Sequence, residues 1–369
     1  MRVLYISQTY SPHDHRFLTT ILEQGHEVFS WQMDLPQGLE RRQLPAGINA
    51  VDGNKDLARN CRPLARFRAA RRVVQDVSPD LIHAGPLQQC AFYAALAGFH
   101  PLVSMSWGWD LLIEARKPIP AWVAKQTIRR SDVLIVDADA VKSVAVELGM
   151  PVNRIVQFPW GIDLEHFSPG ESKIREDLGW GDAFVLLSTR KMESLYGVDI
   201  IVDAFLAAAR ENPNLRLIML GQGTMKEEIE AHFETSGMRS RVHFGGQVGF
   251  DDLPAYYRAA DVYISASHSD GSSVSLMEAL ACGIPALLSD IPGNREWVTP
   301  GEQGWWFPDG DARALTQAIL NSYEQRTGHS RMSKMAREIA EKKGNWEDNK
   351  KGVSEAYILA LEVVHKDMQ

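Results

Sequence analysis

A chain of 369 residues, 45% hydrophobic and 23% charged, has the make-up of a globular protein with room for two domains of ordinary size. Its longest apolar stretches are about strand length, which excludes a membrane-spanning helix. The formal net charge of −8 is uneven: residues 1–165 hold 18 Lys and Arg against 17 Asp and Glu, and the remainder holds 21 against 30. The basic residues are not interleaved with aromatic ones, so nucleic acid is excluded as a partner.

The opening stretch MRVLYISQTY reads as a first β-strand, because a secretory leader needs a longer apolar core and a small-residue cleavage site. RFLTTILEQG follows with helical periodicity and stops on Gly25, as a helix C-terminus should. Further strands are predicted at EVFSW, LIHA, PLVSMS, DVLIV and RIVQF. Between them lie two clusters of cations: Arg59, Arg62, Arg66, Arg68, Arg71 and Arg72 in one segment, and Lys125, Arg129 and Arg130 at the end of another. Each cluster is either a solvated helix face or a surface that meets an anionic membrane or acceptor. Cys61, Cys90 and Cys282 are widely spaced and match no metal or disulfide pattern, which fits a cytoplasmic protein.

WGIDLEHFSPGES breaks the alternation with Gly161, Pro169 and Gly170 and is the expected linker. The cycle then restarts with strands at AFVLLS, LRLIML, RVHFGG, DVYISAS, PALLSD and GWWF. Continuous apolar runs of this kind suit strands covered on both faces. NWEDNKKGVSEAYILALEVVHKD is predicted as one long final helix. The expected fold is therefore α/β, with two doubly wound parallel-sheet (Rossmann-like) domains over 1–165 and 170–345, a cleft between them, and a terminal helix over 346–369. Ligands of such sheets sit beyond the carboxyl ends of the strands, which directs attention to the loops there.

SDGSSVSLMEALACG follows the strand DVYISAS and opens a helix. Ser272 or Ser273 can cap it, Gly271 permits close backbone approach, and free N–H groups at such a start attract an anion. Asp270 before the helix and Glu278 in its second turn can then face one ligand; the competing reading is a capping box of Ser275 and Glu278. After AFVLLS, Arg190 and Lys191 are either a pair of surface cations or groups that reach a pyrophosphate, Arg as a bidentate fork and Lys as a point charge. Gly221 and Gly223 form either a tight turn or a ligand loop. Gly245 and Gly246, with Gln247 after them, suit backbone contacts with a planar base. The two histidines of SPHDHRF read as a polar rim, without carboxylate spacing for a metal.

The block from RVHFGGQV through DLPAYYRAADVYISAS, SDGSSVSLMEALACGIP, SDIPGNREWV and GWWF resembles the donor domain of family 4 retaining glycosyltransferases, which have the GT-B fold. GHEV near the start, the hinge PWGIDLEHFSP and the terminal helix, which in that family crosses back to the first domain, extend the resemblance over nearly the whole chain. The family's signature is Glu, seven residues, Glu, and Asp270 and Glu278 occupy its two positions. The resemblance implies a nucleotide-diphosphate sugar as donor, UDP- or GDP-linked. The acceptor would be a glycan, lipid-linked or small molecule. Displacement would proceed with retention, without cofactor or metal; the basic clusters, where they meet a membrane rather than solvent, would set the cytoplasmic protein at its inner face. It gives Asp270 the hydroxyls of the transferred sugar and Glu278 the ribose. Gly271, Ser272, Ser273 and Val274 would lend backbone contacts to the sugar and distal phosphate, and Arg190 would neutralise the leaving diphosphate. Gly246, Gln247 and Gly221 complete the expected donor set, with Lys191 and Asp110 expected beside the reacting groups.

Four residues or loops depart from that family's pattern. Asp270 replaces a glutamate and shortens the side chain by one methylene. Tyr196 stands near the place of a lysine that precedes a glycine, so Lys191 is the candidate for the missing charge. The first loop lacks a Gly-Gly and offers His13, Asp14, His15 and Arg16. Trp107 takes the place of a histidine in SMSWGWDLL, where Gly108 and Asp110 remain and Trp107 and Trp109 are either core or stacking faces. A decayed site would be expected to lose Asp270, Arg190 or Glu278; retention of all three favours a transferase over a non-catalytic sugar-nucleotide-binding protein.

Overall fold

Every apolar run singled out above forms a strand in the structure, a computed structural model that describes residues 1–34, 40, 42–53 and 63–367. Arg59, Cys61 and Arg62 lie outside the described residues. The chain divides into two compact units, one of Met1–Trp160 with the terminal segment from Glu347, the other of Gly161–Trp346.

The first unit carries a seven-stranded parallel sheet: β1 (Arg2–Ser7), β2 (Glu27–Gln32), β3 (Asn49–Ala50), β4 (Leu81–Ala84), β5 (Leu102–Met105), β6 (Val133–Val136) and β7 (Ile155–Gln157). The strand order is β3-β2-β1-β4-β5-β6-β7. Strands β4, β5 and β6 are buried along their whole length, as strands covered on both faces must be. The edge strand β3 has two exposed residues without an apolar pattern, so nothing in its sequence announces it. On one face Leu4, Ile6, Ile82, Leu102 and Leu134 form a core with the inner sides of helices Pro63–Val77, Phe92–Ala97, Pro118–Ile128 and Asp139–Glu147.

The chain's final helix packs against β5, β6 and β7 of this same unit. It is not the single long helix expected: a four-residue turn, Trp346–Asn349, precedes Lys351–Asp367. At the break Asn349 Nδ2 donates to the Pro159 carbonyl (3.1 Å) and the Lys350 carbonyl accepts from Gln24 Nε2 (3.4 Å), so the turn is tied to segments distant in sequence. Gly352 lies so close to Phe158 that any Cβ there would collide with the ring. Deeper in, buried His83 Nδ1 lies 2.9 Å from the Tyr357 hydroxyl, and the two rings meet edge to face.

The second unit has six parallel strands: β8 (Phe184–Ser188), β9 (Leu215–Leu220), β10 (Val242–Gly246), β11 (Val262–Ser265), β12 (Ala286–Ser289) and β13 (Gly304–Phe307), in the order β10-β9-β8-β11-β12-β13. The expected linker is part of this unit. Ile162 and Phe167 are fully buried, Ile162 bridges to Asn345, and Arg337 Nη1 donates to the carbonyls of Phe167 (2.8 Å) and Ala281 (2.8 Å). Its glycines and prolines signalled a turn, while its aromatic and aliphatic side chains decided the packing.

Burial lowers the pKa of His83 from 6.5 to about 3. Between those values the unfolded chain takes up a proton that the folded chain refuses, so this group removes stability as pH falls. Denaturant unfolding of the parent should therefore lose up to about 1.4 kcal/mol per pH unit more than His83→Gln does across that window. Equal slopes for the two proteins would contradict the assignment.

Candidate functional site

In the second sheet β9 and β12 flank the central pair β8 and β11, so the connections leaving β8 and β11 run in opposite directions. Such a switch point opens a crevice at the carboxyl ends of the strands. Arg190 follows β8 and Asp270 follows β11, and the two meet there: Arg190 Nη2 lies 2.7 Å from Asp270 Oδ2. Arg190 Nη1 also donates to Ser273 Oγ (2.8 Å) and Ser275 Oγ (3.0 Å), and the guanidinium carbon lies 4.3 Å from the centre of the Tyr196 ring. Only 10% of the arginine side chain and 21% of the aspartate are exposed. Burial is the largest single influence and works against the charge, yet Asp270 together with Tyr263 and Tyr196 holds the guanidinium pKa above its ordinary value. Arg190 Nε is buried with no hydrogen-bond partner among the described residues.

The helix opened by SDGSSVSL spans Val274–Ala281, with Ser273 at its N-cap position and no side-chain cap. The Ser273 hydroxyl that could cap it accepts from Arg190 instead, and the helix start keeps N–H groups suited to an anion. Gly271, Ser272 and Ser273 are buried in this turn and Val274 is half-buried. The alternative capping box is not formed, because Ser275 lies inside the helix and Glu278 faces elsewhere. Glu278, 8% exposed, accepts at Oε2 from the Tyr257 hydroxyl (2.7 Å). That hydroxyl also lies 3.2 Å from Thr189 Oγ1 and 3.1 Å from the Ser275 carbonyl, while the Tyr263 hydroxyl lies 2.9 Å from Ser275 Oγ. Burial, then Glu278, pushes the Tyr257 pKa well above its usual value, so it stays a neutral donor. Asp270, Arg190, Ser275 and Glu278 thus belong to one connected polar network.

The glycine loops lie beside it. Gly221 N–H donates to the Gly246 carbonyl (2.6 Å), and both residues have positive φ, +107° and +65°, which disfavours side chains at either position. Met192 N–H donates to the Gln222 carbonyl (3.1 Å) and Met225 N–H to the Met192 carbonyl (3.0 Å), tying the loops after β8 and β9 together. Glu193 adds bonds to the Thr224 N–H (2.9 Å) and hydroxyl (2.6 Å). Lys191 and Gln247 are exposed. Among the described residues, no group of three or more His, Cys, Asp and Glu side chains is placed to share a metal ion.

Asp110 lies in the first unit, fully buried at the start of a short helix. Its carboxylate accepts from Leu87 N–H (2.9 Å), Ser106 hydroxyl (2.6 Å), Trp107 N–H (3.1 Å) and Leu111 N–H (3.0 Å). These donors make it a brace between the segments that follow β4 and β5. Trp107 is half-buried, 5.3 Å from the His13 ring and 6.1 Å from Trp160, whereas Trp109 is 39% exposed. The residues expected as a first loop, His13 to Arg16, instead open helix Pro12–Glu23, and burial and then Arg16 lower the His13 pKa to about 3, which keeps its imidazole neutral. Asp14 is buried as the reciprocal partner of Ser11 in a capping box and accepts from the Tyr5 hydroxyl (2.9 Å).

Sequence reasoning missed Tyr257, Tyr263 and Thr189, and the part Ser275 plays in linking Arg190 to them and to Glu278. The available signal was Tyr257 and Tyr263 in AYYRAADVY, since a buried tyrosine needs a partner for its hydroxyl.

Residues 170–339 match the family described as Glycosyl transferases group 1, and residues 15–166 match Glycosyltransferase Family 4. A GDP-mannose-dependent alpha-(1-6)-phosphatidylinositol monomannoside mannosyltransferase of Mycolicibacterium smegmatis is 24% identical over 64% of this chain and 64% of its own length. A D-inositol 3-phosphate glycosyltransferase of Geodermatophilus obscurus is 28% identical over 53% of this chain and 46% of its own length. The chain thus spans about half to two-thirds of the length of these curated relatives. Among solved structures, Anabaena Alr3699/HepE in complex with UDP superposes with a TM-score of 0.81 at 20% identity, covering 97% of this chain and 99% of the other.

Arg190→Ala strips donors from a part-buried carboxylate and two hydroxyls and should lower unfolding free energy by about 1–3 kcal/mol. Lys191→Ala, on exposed surface, should stay within about 0.5 kcal/mol of the parent. Chemical denaturation of both variants measures the contrast, and equal losses would remove Arg190 from its place as the structural cation of the site.

Proposed function

Because this chain belongs to the family 4 glycosyltransferases and has their GT-B fold, we propose that it moves a hexose-type sugar from a nucleoside diphosphate to a glycan, lipid-linked or small-molecule acceptor, with retention of anomeric configuration. The observation that carries this reading is the joining of Arg190, Asp270, Ser275 and Glu278 in one network beside an uncapped helix start. A sugar diphosphate needs three kinds of recognition, for its ribose, its phosphates and its sugar hydroxyls, and the network offers a group for each. Glu278, steadied by Tyr257, takes the ribose. The start of helix Val274–Ala281 and Arg190 take the diphosphate, and Asp270 takes sugar hydroxyls. Gly221 and Gly246, with Gln247, line the side where the base would lie. A bound UDP in one structural neighbour, and the GDP-mannose dependence of one relative, support uridine or guanosine diphosphate as the carrier.

In the reaction the bond from the sugar's anomeric carbon to the distal phosphate oxygen breaks, and a bond from the acceptor oxygen to the same carbon forms on the same face. The departing diphosphate keeps the electron pair and takes the acceptor's proton. Arg190 and the helix N–H groups stabilise the negative charge as it grows, which is the largest contribution such groups make. No metal is required, since these donors do the work a divalent cation would do on the phosphates. Asp110 acts as a positioning residue for the loops of the first unit. Lys191, exposed, adds a long-range positive charge. We place the protein in the cytoplasm, peripheral at the inner face of the membrane; no helix among the described residues is long and apolar enough to cross it.

Calorimetry with UDP and GDP should show one of them binding, and Glu278→Ala should weaken that nucleotide about 10- to 100-fold by removing hydrogen bonds to a charged group. Parent-like binding by Glu278→Ala would end the ribose assignment. Arg190→Ala should lower kcat about 10²- to 10³-fold. EDTA should leave turnover unchanged, and loss of activity restored by magnesium would overturn the metal-free mechanism. Nucleotide binding with neither transfer nor donor hydrolysis would leave a sugar-nucleotide-binding protein.

A further inference from the structure

Helix Pro118–Ile128 turns its buried side, Ala124, Thr127 and Ile128, into the first unit's core, with Thr127 Oγ1 donating to the Leu87 carbonyl (3.0 Å). Its outer stripe is unusual for a surface helix. Ile119 is 76% exposed and Trp122 58% exposed, and Lys125 and Arg129 continue the same stripe at helical spacing, both exposed. Single exposed apolar residues are ordinary, but a large aliphatic and an indole side by side beside two cations are not. The stripe itself carries no carboxylate; nearby Glu114 pairs with Lys117 (2.7 Å).

The surface continues beyond this helix. Helix Phe92–Ala97 packs against it on one side and against helix Pro63–Val77 on the other, so the three form one layer over the sheet. On that third helix Arg66 is paired with Asp34 (2.7 Å), which offsets its charge, while Arg72 donates to the Gly53 carbonyl (3.3 Å), which ties down its guanidinium without neutralising it. Arg68 and Arg71 remain exposed, with Asp76 the exposed acid on the same helix.

We propose that this outer helical layer docks on an anionic lipid bilayer, with Ile119 and Trp122 seated among headgroups and Lys125, Arg129, Arg68 and Arg71 against lipid phosphates. The inference deepens the peripheral location proposed above by assigning it to a surface. An indole and an aliphatic chain gain by entering the headgroup boundary, and cations beside them gain from its negative potential. Charge complementarity selects an anionic membrane over a second copy of the chain, which would set this cationic stripe against another.

Flotation of the full chain tests this without nucleotide or acceptor, so its outcome is separable from that of the donor reading. The parent should float with vesicles of equimolar phosphatidylglycerol and phosphatidylcholine, and stay behind with phosphatidylcholine alone. K125Q/R129Q should lower the partition coefficient about fivefold per charge removed. I119S/W122S should lower it as well, with thermal midpoints of both variants near the parent's to show intact folding. Absence of flotation, or parent-like flotation of either double variant, overturns the proposal. So does a dimer, seen by light scattering, that I119S/W122S dissolves while vesicle binding persists.

Discussion

A guanidinium held nine-tenths out of water at the end of a β-sheet must be given a counter-charge and hydrogen-bond acceptors, or the sheet end does not form. Arg190 has both, and they come from the far side of the switch point: the carboxylate of Asp270 and the hydroxyls of Ser273 and Ser275. Charge-assisted bonds of this kind contribute about 1.5–3 kcal/mol each when fully buried, and less here because Asp270 keeps some solvent. Their larger effect is geometric. One side chain from the β8 loop fixes the turn that starts helix Val274–Ala281, so the loop and the helix cannot drift independently.

That constraint settles how the helix begins. Ser273 sits where a capping serine belongs, but its hydroxyl faces Arg190, and a helix so short gains little stability of its own. The fold gives up local cap stability and retains an electropositive helix end. Buried Tyr263 on β11 binds Ser275 and buried Tyr257 on the short helix Leu253–Arg258 binds Glu278, so a strand and a neighbouring helix together hold the first two turns. Stability lost at the cap is recovered through side chains that also fix the carboxylate of Glu278.

The architecture was legible because uninterrupted apolar runs bracketed by turns leave little choice but parallel strands under helices. The positions of Arg190 and Asp270 beyond two strand ends, and of Glu278 in the helix that follows, were legible as well. Which groups they touch was not. Nothing in the spacing of Arg190 and Asp270, eighty residues apart, says that they pair, and Tyr196 entered the sequence reading only as a missing lysine. The same limit explains the linker around Ile162 and the break at Lys350. Gly and Pro mark where a chain can turn, but burial of Ile162 and Phe167 and the bond from Asn349 depend on partners distant in sequence. Asp110 makes the point from the other direction: its carboxylate is consumed by four nearby donors that no sequence pattern displays.

The aspartate at position 270, where the resemblance read from the sequence expects glutamate, takes part in the same ion pair. A long arginine crossing from the β8 loop already spans the gap between the two loops, and the shorter carboxylate meets it at 2.7 Å. A second cation at position 196 would stand against that guanidinium; a tyrosine ring at 4.3 Å supports it through its π face and brings no charge. Asp270 and Tyr196 thus act on one and the same guanidinium. They leave a neutral Arg–Asp pair at rest, with an unpaired Nε donor at its edge.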